Sequence, residues 1–353
     1  MLRVSDLHKQ YEGKPLLCGA SFDVAADETV CLLGPSGGGK STILRIIAGL
    51  EDAEGGNVFW DGQAIDEIPA HLRGFGFMFQ DYALFPHLNV FDNVAFGLKV
   101  QKLAEAKVRD RVAEVLTLVE MESFSGRSVI DLSGGEKQRI AFARAIATWP
   151  RMLILDEPMG ALDRTLRDQL LADLQQLLDA ADIPVIYVTH DQQEAFTIAD
   201  RILILHDGRI IQSGTPQDVY SCPANLWTAS FLGMENRLGG KVSALDPFFV
   251  DTMIGPLRVG CSAEEKKVDD PVELLLMDIR VDASGTSSVN TFPAEITAQR
   301  FVGQGYQTHV RIAHAWNAVI TIDRAFPAGK SVQVTIKPQS IQCYIRDASH
   351  EDC

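Results

Sequence analysis

Over its first two-thirds the chain alternates short uninterrupted apolar runs with segments whose apolar residues recur at helical spacing. Thr29–Leu33, Arg151–Asp156 and Pro184–Thr189 are each brief, apolar and rich in leucine or β-branched residues, which predicts strands buried on both faces. Ser41–Leu50 continues the first of them as a helix. Val108, Val112, Val115 and Val119 make one apolar stripe, and Leu162, Leu166, Leu170, Leu174 and Leu177 make a second. Both read as core packing. The alternation predicts an α/β domain with a largely parallel sheet over residues 1–235. Beyond Gly239–Gly240 the helical period disappears. Runs at 271–281, 294–303, 306–312 and 331–337, punctuated by turn residues, predict a small all-β barrel or sandwich domain over 240–353.

Composition sharpens this outline. A chain of 353 residues with 46 % hydrophobic and 22 % charged residues has the length for two domains and the make-up of a folded protein. Its 47 acidic against 32 basic side chains give a net charge of −15, which argues against a general polyanion binder, so no nucleic-acid partner is expected. Most of that charge is in the first part, with 21 basic and 33 acidic residues through 239 and 11 and 14 afterwards. No apolar stretch reaches the roughly 18 residues a membrane span needs. The start, MLRVSDLHKQYEG, lacks the apolar core of a signal peptide, which predicts a cytoplasmic protein. Cys18, Cys31, Cys222, Cys261, Cys343 and Cys353 form no C-x-x-C pair and read as free thiols, Cys31 as a small core residue.

Gly34-Pro35-Ser36-Gly37-Gly38-Gly39-Lys40-Ser41 fits the phosphate-loop pattern G-x-x-x-x-G-K-[ST], directly after a predicted strand and before a predicted helix. A phosphate cradle needs backbone N–H groups turned inward, which glycine permits by tolerating positive φ, and it gains from the helix dipole behind it. The pattern assigns Lys40 to the β- and γ-phosphates and the Ser41 hydroxyl to Mg²⁺, with Thr42 following in the same nucleotide-binding segment. Asp156 and Glu157 close a buried strand at its C-terminal end, where parallel sheets present ligands. Asp156 suits Mg²⁺, and Glu157 suits a general base acting on water. His190 closes a third strand and is placed to hold that water. Leu132-Ser133-Gly134-Gly135-Glu136-Lys137-Gln138-Arg139 reads as a helix start capped by Ser133, a second anion-binding site that a second copy of the chain would use.

These segments together resemble the ATP-binding subunit of ABC transporters over essentially the whole chain. The resemblance implies a P-loop NTPase fold of the ABC type with a helical subdomain, followed by a small OB/TOBE-like β barrel. It makes Gly34 to Ser41 the Walker A loop, Asp156 the Walker B carboxylate and Glu157 the base. Tyr11 becomes the aromatic residue that stacks on adenine, Gln80 the Q-loop residue serving both catalysis and metal, Ser133, Gly134, Gly135 and Glu136 the signature, Asp163 the D-loop residue and His190 the switch histidine. Two departures stand out: Gly38, where Cys or Ser is common, and the variant approach Met159-Gly160-Ala161-Leu162-Asp163.

Further implications concern partners. The resemblance implies a head-to-tail homodimer binding ATP and Mg²⁺, seated on integral-membrane permease subunits at the cytoplasmic face of the cell membrane, with a solute-binding protein acting indirectly. Leu84, Phe85 and Leu88, after Gln80, are candidates for receiving a permease helix or for ordinary packing. Phe79-Gln80-Asp81-Tyr82-Ala83-Leu84-Phe85-Pro86-His87-Leu88 and the β tail look like the importer subgroup that handles ferric iron, polyamines, sulfate, molybdate and sugars, closest to its ferric-iron branch. An exporter subunit is the alternative. A DNA-repair ATPase of related head fold would need a long coiled coil between the Walker A loop and the signature, and a GTPase would need N-K-x-D; neither is present. The tail reads as a dimerisation module, with ligand sensing through its aromatics and His309 as the second reading.

Overall fold

Thr29–Leu33 forms a strand where its apolar run predicts one, inside a six-stranded sheet. The computed structural model describes residues 1–159, 171–178, 183–264, 266–282 and 289–346. Strands of the first part are β1 (Leu2–Tyr11), β2 (Lys14–Val24), β3 (Thr29–Leu33), β4 (Gly55–Trp60), β5 (Gln63–Ala64), β6 (Phe75–Met78), β7 (Met152–Asp156), β8 (Val185–Val188), β9 (Arg201–His206) and β10 (Arg209–Gly214). The sheet runs β10-β9-β3-β8-β7-β6, parallel throughout except for β10. Every residue of β7 and β8 is buried, as a sheet covered on both faces requires. Because β3, β8 and β7 are adjacent and parallel, the segments that follow them leave the sheet along one edge. That edge gathers Gly34–Ser41, Asp156–Glu157 and His190.

The sequence reading did not separate a second, antiparallel sheet, β2-β1-β4-β5. Leu2, Val4 and Leu7 of β1 face inward and share one core with Val30, Leu32, Ile43 and Ile47. Helices α1 (Lys40–Ala48), α2 (Ala70–Arg73), α3 (Val90–Val100), α4 (Glu105–Leu118) and α5 (Gly134–Ala147) follow in order, and α3, α4 and α5 pack on one another as a helical subdomain. Val108, Val112, Val115 and Val119 are buried there, as their spacing predicts. In the leucine stripe, Leu174 is buried within a helix at 171–178, whereas Leu162, Leu166 and Leu170 lie outside the described residues, as do Gly160, Ala161 and Asp163 of the D-loop and Cys353.

The chain divides into two compact units, Met1–Val219 and Tyr220–Cys353. A short helix, Leu226–Phe231, stands near the start of the second unit. Apart from this helix and a 3₁₀ turn at Pro338–Ser340, the described residues of the unit are built around two five-stranded antiparallel sheets. One joins Arg237–Leu245, Phe248–Thr252, Gly255–Arg258, Pro271–Leu276 and Ile341–Ile345; the other joins Ile279–Asp282, Thr291–Phe301, Tyr306–Ile312, Trp316–Ile322 and Ser331–Ile336. Leu238, Val250, Ile296, Val310, Ile320 and Ile341 share their core. The apolar run at 271–281 therefore breaks at Met277–Asp278 and serves both sheets. His309 points outward between the buried Thr308 and Val310. Among the described residues, Cys18, Cys31, Cys222, Cys261 and Cys343 form no disulfide. Burial pushes the Cys31 thiol well up, as suits a core residue. Among the described residues no helix is long and apolar enough to cross a membrane.

Candidate functional site

The loop after β3 turns through Gly37 at φ 76° and Gly39 at φ 97°, and Gly39 sits at the N-cap of α1. A side chain at Gly39 would meet Leu17 Cδ2 at 2.7 Å besides requiring the left-handed conformation, so this position demands glycine. Gly34 is fixed by a close approach: a Cβ there would lie 2.5 Å from the Leu205 carbonyl oxygen. Gly38 is different. Its φ is ordinary, and a Cβ would press on the Pro35 carbonyl oxygen at 3.1 Å, so a larger residue fits only if that carbonyl yields slightly.

Lys40 is buried, and its ammonium donates to the carbonyls of Gly34 at 3.0 Å and Pro35 at 2.9 Å. Burial pulls its pKa down, against the pull of the nearby Glu157 and Asp156 carboxylates. The Ser41 hydroxyl donates to Asp156 Oδ1 at 2.8 Å. Asp156 is also buried, and loss of water raises its pKa despite that hydrogen bond. In both groups the loss of water outweighs the neighbouring partners that favour the charged form.

Glu157 follows Asp156 with φ 44°, an uncommon backbone for a residue with a side chain and one that clusters at functional sites. Its N–H donates to the Val188 carbonyl at 2.9 Å, which pins this turn to β8. The Gln80 amide nitrogen donates to Glu157 Oε2 at 2.9 Å, and His190 Nδ1 stands 3.6 Å from the same oxygen. The remaining oxygen, Oε1, has no hydrogen bond among the described residues. Behind His190 lies a network the sequence reading missed: buried Glu194 accepts from the Tyr187 hydroxyl at 2.8 Å and the Thr189 hydroxyl at 2.7 Å. A glutamate six residues past a strand end carries no local signal of such burial.

Tyr11 ends β1 with its ring 46 % exposed, leaving room for a stacking partner. Its hydroxyl donates to Glu51 and lies beside the Thr42 hydroxyl, and the Lys9 ammonium sits 5.5 Å from the ring centre. Sequence reasoning singled out Tyr11 and Thr42 but neither Lys9 nor Glu51. Ser133 caps α5 in a capping box: Glu136 N–H donates to Ser133 Oγ at 3.3 Å, and Ser133 N–H donates to Glu136 Oε2 at 2.7 Å. No hydrogen bond or ion pair among the described residues joins Ser133–Glu136 to the phosphate loop or to Asp156–Glu157. Leu84, Phe85 and Leu88 are half-buried, with Phe85 packed on Phe96 at 4.5 Å between ring centres.

The arrangement fits Mg²⁺. A buried carboxylate bonded to a hydroxyl offers two hard oxygen donors, and no group of three His, Cys, Asp or Glu side chains able to hold a metal occurs among the described residues. An ion that keeps waters and shares substrate phosphates needs only such a partial set.

Comparison with known proteins agrees with this geometry. The ABC transporter family model matches residues 17–160. A spermidine/putrescine import ATP-binding protein of Thermotoga maritima is 42 % identical over 293 residues, covering 82 % of this chain and 80 % of the relative. A Fe(3+) ions import ATP-binding protein of Streptomyces avermitilis is 48 % identical over 66 % of this chain and 68 % of the relative, and a sulfate/thiosulfate import ATP-binding protein of Bacillus cereus is 42 % identical over 86 % and 85 %. Among solved structures, a dimeric bacterial ABC transporter cassette matches with a TM-score of 0.55 at 31 % identity, covering 61 % of this chain and 99 % of that one. A dimeric cassette in a post-hydrolysis state bound to ADP and Pi matches at TM-score 0.55 and 30 % identity. The chain belongs to the ATP-binding subunits of ABC import systems.

Proposed function

We propose that this chain hydrolyses ATP between two head-to-tail copies of itself, with Glu157 as general base, and thereby drives a permease at the cytoplasmic face of the cell membrane. The observation that carries the reading is the hold on Glu157. Gln80 and His190 converge on one carboxylate oxygen, and the other has no hydrogen bond among the described residues, which leaves it able to take a proton from water. Lys40 exchanges its two carbonyl partners for phosphate oxygens, and Gly37 and Gly39 let the loop backbone close around them. Ser41 and Asp156 would hold Mg²⁺, with Gln80 beside them; when bound, the ion offsets phosphate charge as the transferred group develops it. Tyr11 offers the exposed ring on which adenine stacks. Ser133 to Glu136 would serve the γ-phosphate of the other copy, and Asp163, outside the described residues, keeps the D-loop role the family resemblance gives it.

Residues 1–235 are assigned to ATP hydrolysis and 240–353 to regulation, by dimerisation first. Changing Glu157 to Gln is expected to lower kcat by about 10³-fold while ATP binding persists. Normal hydrolysis by this variant would refute the base assignment.

Within import, ferric iron is the solute we favour. It is supported by 48 % identity to the Streptomyces protein, while the polyamine and sulfate relatives align over more of the chain. The solute passes through the permease and leaves no mark on the ATPase site, which is why relatives of three solute classes align alike. Uptake of labelled ferric iron, spermidine and sulfate in a strain lacking the gene separates them. The proposal expects only iron uptake to fall; loss of spermidine or sulfate uptake instead would reassign the solute.

A further inference from the structure

The segment that carries Gln80 is held in an unfavourable backbone form by two side chains from different helices. Tyr82 and Ala83, just past Gln80, have φ 63° and 44°, where residues other than glycine are strained. Consecutive left-handed residues persist only where surroundings over-determine them. At the far end of the loop, Asn93 on α3 is fully buried and accepts the Phe85 N–H at 2.8 Å while its amide donates to the carbonyls of Phe85, Leu88 and Asn89 at 3.1, 3.3 and 3.0 Å. At the near end, Arg144 on α5 donates from Nη2 to the Tyr82 carbonyl at 2.6 Å and from Nη1 to the Ala83 carbonyl at 2.6 Å. Its guanidinium also lies 5.6 Å from the Phe85 ring centre.

Arg144 is suited to this task by shape. Its planar fork presents two parallel N–H donors, and the left-handed turn brings two successive carbonyls side by side to meet them. Burial costs the guanidinium charge, which Asp81, adjoining Gln80, partly offsets. The same helix begins at Ser133, so one rigid rod of about 15 Å joins the signature to the loop whose Gln80 touches Glu157.

We propose that Arg144 is a positioning residue for hydrolysis: by holding Tyr82 and Ala83 left-handed it sets the Gln80 amide against Glu157 and ties that contact to the helix that begins at the signature. This rests on the reading of Glu157 as base. Steady-state ATP hydrolysis by the full-length chain tests it. Arg144→Lys keeps the charge and loses the fork; kcat falls about tenfold while KM for ATP stays within about twofold, because Tyr11 and Lys40 stand on other elements. Ala83→Gly in the Arg144→Lys background restores most of the lost kcat, since glycine adopts positive φ freely. Ala83 is exposed, so Ala83→Val leaves folding intact and provides a variant independent of Arg144; its β-branched side chain disfavours the left-handed form and lowers kcat in the same way. Wild-type kcat in Ala83→Val, failure of glycine to rescue Arg144→Lys, or a KM that rises in step with the loss overturns the proposal. Failure of the base reading shows separately, as full activity in Glu157→Gln.

Discussion

The two ends of β3 treat charge in opposite ways. At the N-terminal end, Glu28 receives Arg201 as a bidentate partner, at 2.6 Å to Oε1 and 2.9 Å to Oε2, together with the Ala25 N–H at 2.9 Å. Burial pushes the Glu28 pKa up, but these donors outweigh it and hold the carboxyl below its ordinary value of 4.5. At the C-terminal end, Lys40 and Asp156 are buried too, yet burial wins, lowering the one pKa and raising the other. A scaffold pair is complete within the chain, whereas the site is built to be completed by a ligand. Stability is conceded at the functional end, as preorganised sites commonly require.

The largest effect expected from this contrast is on chemistry. Asp156→Asn should reduce ATP hydrolysis by about 10³-fold or more, since it removes the carboxylate proposed to hold Mg²⁺, while the melting temperature without nucleotide stays level or rises. A folded-state pKa above the unfolded value means that ionised Asp156 costs stability above that range, so its neutral replacement relieves the cost. A marked fall in melting temperature would break the comparison.

Next in size is the scaffold end. Arg201→Gln should cost about 2 kcal/mol at pH 7 by urea unfolding, with ATP affinity unchanged. Because the folded pKa of Glu28 is depressed, its contribution is full above the unfolded pKa and disappears as pH falls through the folded one. The difference between wild type and variant should therefore shrink below about pH 4.5. A gap that is constant with pH would show that Glu28 is not the source. Smallest is Gly38→Ser. The Pro35 carbonyl has only to yield a few tenths of an ångström, so KM for ATP should change by less than about threefold, against complete loss for a side chain at Gly39.

Legibility from sequence followed the range of the interactions. Thr29–Leu33, the phosphate loop and α1 form one contiguous strand–turn–helix whose pattern is local, and Ser133 with Glu136 forms a cap within four residues. Asp156, Glu157 and His190 could be singled out because parallel buried strands announce where they end. The sheet led by β1 escaped because its strands alternate irregularly, with register shifts after Val4 and Lys9 that blur the period of two. Lys9, Glu51, Glu194, Asn93 and Arg144 escaped because each acts through partners fixed only by folding; Arg144 meets carbonyls 61 and 62 residues away. An arginine on a helix is ordinary until the loop it holds is known.

Ser133 and Glu136 satisfy one another and, among the described residues, make no hydrogen bond or ion pair with the phosphate loop, Asp156 or Glu157, so the account requires that a second copy use them. Two variants that are each inactive test this directly: Lys40→Ala, which spoils the phosphate loop, and Ser133→Arg, which blocks the signature. Mixed in equal amounts and allowed to exchange subunits, they should recover about a quarter of wild-type ATP hydrolysis, because half the dimers are mixed and each mixed dimer holds one intact site of two. If the mixture stays as inactive as its parts, although mixed dimers form, the site does not span two copies and the account fails.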